Sequence, residues 1–118
     1  MSLSIEHREV APATRVITIS GKLLLGAGSL ELETLVPQLL EAGARTLVFD
    51  LSGVTRIDST GIGRFIDTYG RLKKSGGEMR LAGAGGAVRE SFRLTRLDRV
   101  FSFYPTVEAA CEGLAGRA

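Results

Sequence analysis

Thr46-Leu47-Val48-Phe49-Asp50-Leu51, followed after a short link by Ile57-Asp58-Ser59-Thr60-Gly61-Ile62-Gly63, is the stretch that decides the fold. The first run is nearly continuous and apolar, as a buried central strand requires. The second opens a helical pattern through Phe65, Ile66, Tyr69 and Leu72. Ser75-Gly76-Gly77 stops that helix behind basic residues in its last turn, and residues 78–82 read as the next strand. Strand, helix and strand in this order form a βαβ unit.

The flanking sequence extends the pattern. Upstream, residues 14–20 alternate and are β-branched, so they predict a strand. Residues 3–10 alternate more loosely and predict its hairpin partner, joined through Ala11-Pro12-Ala13. Gly26 and Gly28 permit a turn, Ser29 is a candidate helix cap, and Leu32, Leu35 or Val36, Leu39 and Leu40 recur at helical spacing until Gly43. Pro37 lies inside that pattern and predicts a kink, or a start near Thr34. Downstream, Gly83-Ala84-Gly85-Gly86 is a turn, Val88, Phe92 and residues 94–97 suggest a short helix and connector, and residues 100–103 a last strand. Pro105 fits the first turn of a terminal helix with Val107, Ala110, Cys111 and Leu114. The β-β-α-β-α-β-α-β-α order predicts one α/β domain over residues 1–118. Its sheet is expected to be mixed but mostly parallel, with about 4–5 strands and about 4 helices packed mainly on one side.

Composition narrows the function. The 118 residues are 44% hydrophobic and 24% charged, with net charge +2, as in an ordinary soluble globular protein. Only the tail at Gly116-Arg117-Ala118 reads as disordered. Basic residues are scattered among acidic ones, which predicts solvated faces and no direct nucleic-acid site. No long apolar run or signal sequence appears, so the expectation is a cytoplasmic protein without membrane insertion. One His and one Cys cannot make an N/S-rich zinc centre, and no metal or cofactor is expected. His7 reads as a strand residue and Cys111 as a small, half-buried hydrophobe. The 83–86 turn lacks the glycine at position 88 that a dinucleotide loop needs, and no phosphate-binding P-loop exists. Asp50 and Asp58 are formally a carboxylate pair, but turn and cap roles suit them better, with Asp58 capping the helix that follows.

The junction at Ser59 remains. A hydroxyl there sits beside unpaired backbone N–H groups and the positive end of a helix dipole, where a phosphate can be held. A helix start rich in capping residues explains the same letters, and the residues alone leave both readings open. Gly61 and Gly63 weigh against mere capping, since each costs about 1 kcal/mol relative to Ala in a helix. Their small size leaves Ser59 open to an approaching surface.

With these residues the chain resembles the STAS domain of anti-anti-sigma factors (anti-sigma factor antagonists). The Asp58-Ser59-Thr60-Gly61-Ile62-Gly63 block is the specific part. Ile19-Ser20-Gly21-Lys22-Leu23, residues 47–54, residues 76–81 and Leu94-Thr95-Arg96-Leu97 before Val100-Phe101 support it in order and spacing. The resemblance implies a non-catalytic protein that binds no nucleotide of its own. It implies that the unphosphorylated form binds an anti-sigma factor with serine kinase activity and frees a sigma factor. Phosphorylation at Ser59 then blocks binding, and a phosphatase restores it. The implied partner surface combines Asp58, Thr60, Gly61, Ile62 and Gly63 with the Gly26, Gly28 and Ser29 loop. The best-known members carry Gly-x-Leu-Asp after the second strand, whereas this chain has Gly21-Lys22-Leu23-Leu24, and its Leu23-to-Ser29 run looks like a subgroup of stand-alone STAS proteins. The alternative within the family is a non-catalytic subunit of a phospholipid-transport complex or a stressosome-like particle.

Overall fold

Three crossovers of one hand determine the architecture. The computed structural model describes residues 3–114; the Gly116–Ala118 tail lies outside them. Strands β1 (Ser4–Ala11), β2 (Thr14–Leu23), β3 (Thr46–Ile57), β4 (Glu78–Ala82) and β5 (Ser102–Tyr104) form one sheet in the order β1-β2-β3-β4-β5. β1 is antiparallel to β2, and every later pair is parallel. Helices α1 (Ala27–Glu41), α2 (Ser59–Lys74) and α3 (Gly86–Leu94) make the crossovers. Because the strands advance in one direction and parallel crossovers are right-handed, all three helices must fall on the same face. The short α4 (Val107–Ala110) closes part of the other face.

The period of two along β3 sorts the two cores. Leu47, Phe49 and Leu51 join Ile17, Ile19, Leu81 and the helices, while Val48 joins Val16, Ala82, Ala110 and Leu114. Burial on both faces explains the apolar run, which only Asp50 interrupts. Aromatic rings run through the larger core: Phe49 meets Phe65 edge-on at 5.0 Å, and Phe92 lies 5.8 Å from Phe65 and 5.4 Å from Phe103. Arg80, pointing to the α4 side, is buried yet satisfied: it donates to Glu78 at 2.8 Å and to the Ala110 carbonyl at 2.7 Å, fastening α4 to the sheet.

Local departures from the sequence reading have physical causes. α1 starts at Ala27, earlier than expected, and runs through Pro37. Burial of Leu32, Val36 and Leu39, about 1.5–3 kcal/mol each, outweighs the proline penalty of about 3 kcal/mol. Ser29 therefore lies inside the helix and does not cap it; Gly26 occupies the N-cap with φ 146, a region costly for residues with a Cβ. β3 continues to Ile57 because residues 53–57 pair with the end of β2, against a polar exterior that alternation alone did not mark. β5 begins at Ser102, with Val100 in the preceding turn. Cys111 is half-buried beside the smaller core, and burial pushes its thiol up from the ordinary value.

Candidate functional site

Asp58 ties two loops together at the carboxyl end of the sheet. It is the N-cap of α2, and its Oδ1 accepts from the Gly61 N–H at 3.0 Å. Its Oδ2 accepts from the Leu25 N–H at 3.1 Å, while its own N–H donates to the Leu23 carbonyl at 3.3 Å. The end of β2 is thus clamped to the start of α2, so the Gly26 loop and the Ser59 turn share one surface. The Gly61 N–H bond holds the Asp58 carboxyl below its ordinary pKa; burial opposes it, and the bond from Leu25 adds a smaller lowering effect.

A depressed native pKa has a definite sign. The ionised cap stabilises the fold above the unfolded-state pKa, and that contribution is lost as pH falls through the native value. Asp58→Ala is expected to cost about 0.5–2 kcal/mol at neutral pH. The stability gap between wild type and Asp58→Asn should shrink in acid, read by denaturant melts along a pH series. A gap that widens in acid would contradict the clamp.

Ser59 is the first residue of α2 and is exposed, and among the described residues its hydroxyl makes no hydrogen bond within the chain. Thr60 is half-buried. Leu25, 79% exposed, and Leu30 in the first turn of α1 are large exposed apolar side chains at this end, and Ile66 is a third, midway along α2. Ser59, Gly63 and Ile66 recur at helical spacing along one stripe, which spans about 10 Å at 1.5 Å per residue. α1 is locked beside α2 by Arg64, which donates to the Ser29 hydroxyl at 2.8 Å and pairs with Glu33 at 3.1 Å. Arg56 is exposed next to Lys22 in the β2–β3 register.

The expected site residues separate into two layers. Ser59, Gly63 and Gly26 reach the surface, with Asp58 and Thr60 at its margin. Ser29, 1% exposed, lies beneath it as the acceptor for Arg64, and Ile62 is buried in the core. Gly61 is buried too, and the reading of it as an opening for a partner is corrected. A Cβ there would stand 2.5 Å from the Leu23 carbonyl oxygen and 2.7 Å from Ile57 Cγ1, so its smallness serves the close approach of helix and strand. At Gly28 a Cβ would meet Leu3. Sequence reasoning did not single out Leu25, Leu30 or Ile66 as surface residues; it offered Arg64, with Arg56, as a cation for a phosphate on Ser59, and the structure engages Arg64 with Ser29 and Glu33 instead.

This layering sets two glycines apart. Gly61→Ala is expected to destabilise the fold by about 1–3 kcal/mol through overpacking, despite its gain in helix propensity. Gly63, with open space at its Cβ position, should accept Ala with equal or higher stability. Chemical denaturation of both variants decides it; equal losses would mean that the close approach at Gly61 is not tight.

Asp50 belongs elsewhere. Its Oδ1 accepts from the Ser52 N–H at 3.1 Å and the Ser52 hydroxyl at 2.7 Å, a turn of its own with no ligand shared with Asp58. Among the described residues no three His, Cys, Asp or Glu side chains group as a metal site, and no helix is long and apolar enough to cross a membrane.

Fold and site together define a small α/β domain that presents an exposed serine at the mouth of its second helix. The chain belongs to the STAS domain family, whose profile matches residues 5–110. It is 32% identical over 97 residues to the anti-sigma-B factor antagonist of Bacillus subtilis, covering 82% of this chain and 84% of that one. The crystal structure of an anti-sigma factor antagonist from Mycobacterium paratuberculosis superposes with a TM-score of 0.81 at 28% identity, over 92% of this chain and 91% of that one. The Bacillus cell fate determinant SpoIIAA in its phosphorylated form gives 0.72 at 19% identity, over 94% and 99% of the two chains, a likeness of fold alone.

Proposed function

We propose that this chain is an anti-sigma factor antagonist that works by partner switching through Ser59. Unphosphorylated, its Ser59 end binds an anti-sigma factor and frees a sigma factor. The serine kinase activity of that partner phosphorylates Ser59 and ends the binding, and a phosphatase resets the switch. The chain is a substrate and binding partner in this cycle, not a catalyst, and it acts in the cytoplasm.

The observation that carries this reading is the position of Ser59. It is exposed at the first position of α2, next to Asp58, whose bond to the Leu25 N–H holds the exposed Leu25 loop at the same end. Exposed apolar side chains at the same end as a modifiable hydroxyl suit a surface that binds protein and is ended by added charge. The 32% identity to a Bacillus subtilis anti-sigma-B factor antagonist supports the same role. Leu24 occupies the place of the aspartate found in the best-known members, so apolar contact is expected to weigh more in this interface.

The test is phosphorylation by the anti-sigma factor kinases of the source organism with labelled ATP. Phosphopeptide mapping should place the label on Ser59, with none on Thr60 and none on the Ser59→Ala variant. Normal labelling of Ser59→Ala would sink the assignment.

A further inference from the structure

The large exposed apolar side chains of the described residues fall into two groups. Leu25 and Leu30 attend the Ser59 end, with Ile66 two turns along α2; Leu94, 69% exposed, and Val100 stand at the opposite end, where α2 and α3 finish. A groove of about 440 Å³ there is lined by Arg93, Leu94, Arg96, Asp98 and Arg99. A second, of about 370 Å³, is lined by Lys73, Tyr69 and Val100 among others, and the Arg99–Val100 peptide joins the two.

The backbone at this end is held in a costly form. Arg96, between α3 and a 3-10 turn at Leu97–Arg99, has φ 63 and ψ 17. The left-handed region suits glycine, and an arginine there is uncommon. That strain presents the exposed Arg96 side chain next to Leu94, which the fold leaves in solvent. Arg96 is the residue after the C-cap of α3, where a left-handed residue ends a helix, and an arginine stands there in place of the usual glycine.

Charge states what the groove accepts. Glu90 already engages Arg93, and Glu78, which lines the second groove, engages Arg80; Asp98 is the remaining carboxylate of the two linings. Lys73, Arg96 and Arg99 leave the end with excess positive charge around two apolar contacts. A bilayer surface meets convex protein better than grooves, and a nucleic acid would call for a longer basic track and stacking rings. A concave, cationic and apolar lining fits a polypeptide that alternates carboxylates with apolar side chains.

We propose that the end formed by Leu94, Arg96, Arg99, Val100 and Lys73 is a second docking surface, for an acidic, apolar-containing segment of a partner protein. It is separate from the Ser59 surface, so the protein can hold one partner while switching another.

The test is an amide NMR titration of the whole chain with a short synthetic peptide alternating Glu and Leu, beside a Gln-for-Glu control. Shifts should concentrate at Leu94, Arg96, Arg99 and Val100 and spare Ser59 and Gly63. Leu94→Ala and Arg99→Ala should each weaken binding by about fivefold or more. Arg96→Gly should also weaken it, with a melting temperature equal to or above that of wild type, since the strain is released. Shifts confined to the Ser59 end, equal binding of the control peptide, or a lower melting temperature for Arg96→Gly would overturn the proposal. So would binding at these residues by phosphatidylglycerol vesicles or single-stranded DNA without binding by the peptide. Failure of the Ser59 labelling test leaves all these readouts unchanged, so the two readings stand or fall separately.

Discussion

Phe49→Ala should unfold at markedly lower denaturant, with a loss of about 3–5 kcal/mol. Phe49 is fully buried in the central strand and sits edge-on to Phe65 at 5.0 Å, at the head of the ring series that continues to Phe92. Truncation removes the transfer free energy of the ring and leaves a cavity that cannot collapse. β2 and β4 fix the backbone on either side through the Ile17 and Leu81 register, and α2 is clamped at its start by Asp58. The loss is a large fraction of the marginal stability of a domain of this size, about 5–15 kcal/mol. Equilibrium urea unfolding, with an unchanged slope, checks it. A loss below about 1 kcal/mol would place Phe49 outside the core.

The same strand shows why much of the fold is legible in sequence. Leu47 to Leu51 is apolar but for Asp50 because helices cover one side and α4 part of the other, so its central place is written in composition. Asp58 was legible as a cap because cap chemistry is local, spanning three residues to Gly61. Its second bond, to Leu25, joins residues 33 apart and leaves no local trace. Gly61 shows the limit most clearly. A glycine in a first helical turn reads equally as an opening for a partner or as a close approach of backbone, and only the Leu23 carbonyl and Ile57 side chain decide for the latter. Ser29 likewise looks like a cap beside two glycines, yet its hydroxyl is taken by Arg64 from a neighbouring helix. The place of Ser59 at the start of an exposed helix turn was readable; the layer beneath it depends on tertiary neighbours.

Ser59→Asp, or phosphorylation of Ser59, is expected to abolish detectable anti-sigma factor binding while leaving the fold intact. A phosphate at the first position of α2 adds a charge of about −1.5 to −2 beside the positive helix end, which tolerates it. The chain itself has little to neutralise it with. Arg64 is committed to Ser29 and Glu33, and Asp58, held ionised by its backbone donors, adds repulsion from the neighbouring position. The new charge therefore faces outward, at the end where Leu25 and Leu30 are exposed and where the proposed partner would exclude water. Burying a dianion there without a matched cation costs several kcal/mol, and each 1.4 kcal/mol is about tenfold in affinity. A loss of at least about a hundredfold follows, while the melting temperature should move by no more than about 3 °C, as for an exposed substitution. Ser59→Ala should bind as wild type does, since a small neutral group still fits there. Calorimetric titration with the anti-sigma factor, paired with thermal melts of each variant, separates the outcomes. Should Ser59→Asp bind undiminished, the switch does not act through charge at this surface; should it unfold, α2 and not the interface is what the phosphate disturbs.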